Sequence, residues 1–176
     1  YDMIKKHSEG VICLSACLAG RIPQLLLDGE YEKAKAFAVE MKEAFGDDFY
    51  IELQDHGIAE EKQVIPELIQ IARELNIGLV ATNDVHFVRK EDGPAHDRLI
   101  CLTTNANLDD PNRMRYTQQE YLKSEEEMLD MFYKHPETLA NTLEIAEKIE
   151  SYKIDKDPIL PKFDLPEEFM AEIDTF

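Results

Sequence analysis

An aspartate and a histidine stand two positions apart in Ala81-Thr82-Asn83-Asp84-Val85-His86, directly after the short apolar run Ile77-Gly78-Leu79-Val80. In extended backbone, residues i and i+2 point the same way, so this spacing predicts that Asp84 and His86 converge on one point. A carboxylate oxygen and an imidazole nitrogen brought together suit a borderline-to-hard divalent cation. The end of a buried strand is also where parallel α/β proteins carry their chemistry. Asp-x-His is frequent by chance, however, and the pair also reads as a loop-capping aspartate beside an exposed histidine. Two further residues sit at equivalent places. Cys17 follows the apolar run Val11-Ile12-Cys13-Leu14. Its thiolate could complete a site with Asp84 and His86, or it is a small buried hydrophobe, the commoner fate of a free cysteine. His56, in Gln54-Asp55-His56-Gly57, follows Phe49-Tyr50-Ile51-Glu52-Leu53. It reads either as a residue that faces phosphate or supports a metal ligand from behind, or as a loop histidine bonded to backbone. Cys13 and Cys101 read as core, and His96 as a helical residue packed against a neighbour.

The elements that must position these residues follow from periodicity. Residues 11–14 predict a strand, small residues at 15–20 a tight turn, and 22–27 a short helix closed near Gly29. Residues 31–45 predict a helix whose Ala34, Phe37, Ala38, Met41 and Phe45 share one face, stopped by Gly46. Residues 49–53 predict a strand, 60–75 an amphipathic helix with Val64, Leu68, Ile71, Ala72 and Leu75 inward, and 79–81 the strand that delivers Asp84 and His86. This alternation is the signature of a parallel α/β sheet or barrel. Three strands do not close a barrel, so the sequence predicts that further strands lie upstream. The character then changes. Residues 91–103 read as a helix and 105–116 as polar turns. Ser124 and Glu127 form a capping box that opens a helix over Met128, Met131 and Phe132. A last helix runs from about 136 to 149, and a proline-bearing extended tail follows from 151.

Composition bounds the function. The chain has 176 residues, 44% hydrophobic and 32% charged, which fits one folded domain. It holds 37 acidic against 19 basic residues, a net charge of −18. Such a surface repels phosphate backbones unless metals or local basic patches intervene. No apolar run approaches the roughly 20 residues of a membrane span, and the first residues lack signal-peptide character. The three cysteines argue against a disulfide framework and for a reducing, cytoplasmic setting. Without an opening methionine, the chain reads as an excised piece of something longer. Gly-rich phosphate loops, Gly-x-Ser-x-Gly elbows, Cys-x-x-Cys pairs and basic stripes with interleaved aromatics do not occur.

Several segments together carry a family resemblance. They are Leu14-Ser15-Ala16-Cys17-Leu18-Ala19-Gly20, Tyr50-Ile51-Glu52-Leu53-Gln54-Asp55-His56-Gly57, Val80-Ala81-Thr82-Asn83-Asp84-Val85-His86-Phe87, Leu108-Asp109-Asp110-Pro111, Tyr121-Leu122-Lys123-Ser124-Glu125-Glu126-Glu127-Met128 and Leu139-Ala140-Asn141-Thr142. In this order they resemble the alpha subunits of bacterial DNA polymerase III, in the later part of the N-terminal PHP (polymerase and histidinol phosphatase) domain. The resemblance covers nearly the whole chain and weakens after about Glu167. It implies an α/β fold, part of a distorted (βα)7 PHP barrel over residues 1–104, a helical extension over 105–150 and a linker toward the polymerase palm over 151–176. It implies metal-ligand roles for Cys17 through sulfur, Asp84 through oxygen and His86 through nitrogen, with Asp84 and His86 acting in catalysis as ligands. The implied cofactor is a divalent metal (Zn, Mn or Mg), with Mg for the parent polymerase, and the implied chemistry is metal-assisted 3'-5' exonucleolytic hydrolysis. Family members that have lost ligands use the domain as a scaffold, and that is the alternative here. The implied partners are the remainder of the alpha subunit, other replicase subunits and primer-template DNA, with no membrane. A free-standing PHP phosphatase is a third reading, and the segments from Leu108 to Thr142 speak against it. The His-x-His motif that begins the family's domain and the palm aspartates are absent from this sequence, so the stretch by itself is expected to be inactive.

Overall fold

The computed structural model describes residues 1–159. Three strands, β1 (Cys13–Leu14), β2 (Phe49–Leu53) and β3 (Gly78–Ala81), form one parallel sheet in the order β1-β2-β3. The register sets Cys13 beside Phe49 and Leu53 beside Ala81. Parallel neighbours need crossovers. Helices α2 (Arg21–Leu27) and α3 (Tyr31–Phe45) connect β1 to β2, and α4 (Ala59–Leu75) connects β2 to β3. All three strands therefore end on one side, and residues 15–20, 54–57 and 82–87 all leave from that side.

The sheet is α/β as the alternation predicts, and the boundaries of α3 and β2 fall where periodicity puts them. The strand expected over 11–14 shrinks to two residues, because Val11 and Ile12 run alongside no partner strand. A five-residue helix, α1 (Asp2–Lys6), escaped the pattern because it buries none of its residues. The described residues form an open three-stranded sheet, not a closed barrel. Residues 151–159 form no helix or strand, and the rest of the expected linker, 160–176, lies outside the described residues.

The core lies between the sheet and the helices. Phe49, Ile51 and Leu53 of β2 meet Ala34, Ala38, Met41 and Phe45 of α3 and Val64, Leu68, Ile71 and Ala72 of α4. Four of the five β2 residues are buried, as expected of a central parallel strand covered on both faces. The second cover is α7 (Glu137–Lys148), which packs on β3. Asn141 Nδ2 donates to the Leu79 carbonyl (2.7 Å) and Tyr50 Oη to Glu144 Oε1 (2.8 Å), while Lys148 Nζ donates to Tyr50 Oη (2.7 Å). Gly78 permits this arrangement, since a Cβ there would stand 2.7 Å from the Tyr50 ring. Helix α6 (Glu125–Met131) opens on the capping box that Ser124 and Glu127 predict: Ser124 Oγ accepts from Glu127 N (3.2 Å) and Glu127 Oε2 from Ser124 N (2.8 Å). Helix α5 (Gly93–Thr104) buries Cys101, as expected. No helix among the described residues is long and apolar enough to cross a membrane.

Candidate metal centre

β3 runs one residue past its last pair, with Thr82 N donating to the Leu53 carbonyl (3.1 Å). The backbone then turns. Asp84 has φ 42°, in the left-handed region, which Asp tolerates better than most residues. The convergence of Asp84 and His86 therefore does not come from extended i, i+2 geometry, as the spacing suggested. It comes from a turn, and it brings Asp84 Oδ2 to 3.4 Å from His86 Nε2. The two side chains are 45% and 32% exposed, so solvent and solutes can reach them.

A buried brace holds this loop. Asn83 is 6% exposed. Its Nδ2 donates to the carbonyls of Gln119 (2.8 Å) and Tyr121 (2.7 Å), and its Oδ1 accepts from Lys123 Nζ (3.0 Å). His86 N donates to the Glu120 carbonyl (2.8 Å), Leu122 N to the Phe87 carbonyl (3.1 Å), and Phe87 bridges Tyr121 in parallel. Around the outer rim, the His86 ring meets those of Tyr116 (4.6 Å between centroids) and His96 (5.5 Å), and His96 also meets Phe87 (5.1 Å). His96 thus packs against neighbouring elements, as expected.

His56 lies beneath the loop rather than on it. It is buried, with Nδ1 2.6 Å from Glu61 Oε1 and Nε2 3.1 Å from the Asn83 carbonyl oxygen, and its backbone N donates to Glu61 Oε2 (2.6 Å). Burial by itself lowers its pKa. The hydrogen bonds to Glu61 and the Asn83 carbonyl and the charges of Glu61 and Glu120 outweigh that, and the net shift is upward. Glu120 is buried too. Desolvation pushes its carboxyl up, but hydrogen bonds from Thr117 and the charge of His56 bring the net shift down. Desolvation lowers the pKa of Lys123.

Cys17 occupies the turn after β1. Gly20 closes that turn by donating from its N–H to the Cys17 carbonyl (2.7 Å), and a Cβ at Gly20 would collide with the Ser15 carbonyl. Cys17 is half-buried and borders a small cavity with Glu52, Gln54 and Glu61. Among the described residues, no three His, Cys, Asp or Glu side chains gather closely enough to hold a metal ion. The structure therefore joins Asp84 to His86 and sets His56 behind them, and it does not bring Cys17 into a triad with the pair. As a donor set, one carboxylate and one imidazole fit part of a divalent-metal site. Asn83, Glu61, Glu120 and Lys123 were missed in the sequence. The available signal was a polar residue, Asn83, placed between an apolar strand and the Asp-x-His pair.

Comparison with known proteins defines the class first. Residues 1–56 match the PHP domain family. Beyond that stretch the similarity continues through nearly the whole chain to proteins named DNA polymerase III subunit alpha. It is 44% identical to that of Treponema pallidum over 97% of this chain and 15% of the relative. The figure is 45% for Borreliella burgdorferi (96% and 15%) and 40% for Thermus aquaticus (94% and 14%). The resemblance read from the sequence is borne out: the chain is similar over nearly its whole length to a stretch of bacterial DNA polymerase III alpha subunits, and its residues 1–56 match the PHP domain family. It spans about 15% of the length of the first relatives it matches.

Proposed function

We propose that this chain serves DNA replication as part of a polymerase alpha subunit, and that Asp84 and His86 contribute to a divalent-metal phosphoesterase site acting as a 3'-5' exonuclease. The observation that carries the reading is the pairing of an exposed Asp84 carboxylate with the His86 imidazole at 3.4 Å, at the C-terminal end of a parallel sheet. Asp84 would hold the metal through oxygen and His86 through nitrogen, and Cys17 would join through sulfur if the turn at 15–20 closes toward them. A bound divalent metal, whether Zn, Mn or Mg, would activate water and offset charge on phosphate oxygen. The chain's own residues would hold and orient the pair, with the Asn83 brace fixing its mount. The His86, His96 and Tyr116 rings offer faces on which a terminal base can stack. The strands upstream would complete a distorted (βα)7 barrel. On the same reading, the rest of an alpha subunit, other replicase subunits and primer-template DNA would be its partners, with Mg for polymerisation in the parent polymerase and the cytoplasm as the setting; the relatives' name supports the first of these.

A scaffold role is the second reading. It is favoured by the arrangement of the described residues, among which no third His, Cys, Asp or Glu joins Asp84 and His86 in a group that could hold a metal ion. Elemental analysis of the longer protein, wild type against D84A/H86A, with primer degradation measured on the same samples, separates the two. Bound metal and 3'-5' hydrolysis that both fall in the double variant support the catalytic reading. Metal-free wild type that leaves the primer intact overturns it in favour of the scaffold.

A further inference from the structure

We propose that His56 is a positioning residue of this centre, an imidazolium held between Glu61 and the Asn83 carbonyl that orients the peptide plane entering Asp84. The inference rests on the metal-site reading above for its purpose, and on hydrogen-bond geometry for its substance. Both ring nitrogens of His56 face acceptors, a carboxylate oxygen at 2.6 Å and a backbone carbonyl oxygen at 3.1 Å. A neutral imidazole has one N–H and one lone pair, so one of these contacts would set lone pair against lone pair in a buried site. Protonation of both nitrogens satisfies both contacts. The Glu61 carboxylate accepts twice from the same residue, from the ring and from the backbone N–H. The His56 and Glu61 side chains are only 5% and 4% exposed. The other charged groups near this pair are the buried Glu120 carboxylate, with Oε2 unpartnered among the described residues, and Lys123, which reaches the same Asn83.

The Asn83 carbonyl shares a rigid plane with the Asp84 amide. Fixing that oxygen fixes the plane about which φ of Asp84 is set, and that φ is a left-handed 42°. The Asn83 side chain is pinned separately, by the 119–123 segment. His56 therefore holds a peptide plane that the contacts of the Asn83 side chain do not reach. Burying an ion pair costs desolvation of both charges, and a use in fixing geometry is a reason to keep one.

Nuclear magnetic resonance on the 15N-labelled chain tests this. At pH 7 both ring nitrogens of His56 carry protons. As the pH rises, the amide shifts of Asp84, Val85 and His86 step together with the ring. In H56Q those amides lose the step and move from their wild-type positions, while the Ile51 and Ile71 amides stay. E61Q provides a second variant, in which the new side-chain amide can donate to Nδ1, so the ring is neutral at pH 7 with Nδ1 unprotonated and its one proton on Nε2 toward the Asn83 carbonyl. An unprotonated Nε2 in the wild type, or Asp84–His86 amides unchanged in H56Q, overturns the proposal. The metal reading is tested apart from it, by Mn2+ titration of the longer protein. H56Q should lower Mn2+ affinity about 10- to 100-fold. Equal Mn2+ affinity in H56Q and wild type overturns the positioning role and leaves the metal site standing. No Mn2+ uptake by the wild type overturns the metal reading, and the ring and amide results then decide the His56 geometry by themselves.

Discussion

Asn83 carries more of the site than its neighbours with ligand chemistry do. All three polar positions of its side chain that take part are spent on the 119–123 segment. Asn83→Leu would strand the Tyr121 carbonyl, at about 1–3 kcal/mol when buried, and take one partner each from Lys123 and the Gln119 carbonyl, which keep their bond to each other. Urea unfolding should show a large loss, and the amides of Asp84 to Phe87 should broaden. His56 gives a pH dependence whose sign is fixed. Its folded-state pKa is raised above the ordinary histidine value, so its contribution is fully present below that ordinary value and is lost as pH rises through the folded one. Urea midpoints measured across that rise should fall in wild type and stay flatter in H56Q. At this scale the sequence was half legible. Asp84, His86 and His56 declared themselves by type and place, because each follows an apolar run. Asn83 did not, because its partners lie elsewhere in the chain, and Glu61 did not, because it meets His56 from the first turn of α4, where an acidic residue reads as ordinary surface. Asn83 Oδ1 meets Lys123 from 40 positions away, and His56 meets the Asn83 carbonyl across 27. No local pattern encodes such pairs.

Helices and strands were more legible than side-chain networks, for the same reason. α3 and α4 declare themselves by apolar spacing, and α6 by the Ser124/Glu127 box. Removing that box by S124A should cost about 1 kcal/mol, or roughly 2–4 °C in melting temperature for a chain of this size. The loss should exceed that of an ordinary exposed serine, because Glu127 also accepts from Tyr121 Oη (2.6 Å) and so links the helix start to the segment that braces Asn83. α1 and the brevity of β1 were illegible. The former buries none of its residues, and the latter depends on where β2 stops offering partners. The turn bearing Cys17 makes a sharper test. Gly20→Ala must push the Ser15 carbonyl aside, so it should destabilise the chain and shift the Cys17 amide, read by thermal melt and amide spectra. Unchanged values would show that the turn relaxes freely.

The whole molecule combines an acidic surface with one bare edge. β1 has β2 as its only strand neighbour among the described residues, and its own Leu14 and the nearby Val11 are 37% and 47% exposed. Unpaired edges of this kind invite pairing with another chain, whereas the net charge of −18 opposes it. Light scattering of the isolated chain should therefore show self-association that grows as salt screens the charge. A clean monomer with a cooperative melt at all salt concentrations would count against it. The β3 side is treated differently, because α7 packs on that strand and Asn141 donates to the Leu79 carbonyl. Asn141 and its acceptor on Leu79 are 62 residues apart. A ribosome adding roughly 5–20 residues per second would leave β3 without α7 for about 3–12 seconds during synthesis. Any helper that shields nascent chains has that interval in which to act, and it ends when α7 emerges and folds back.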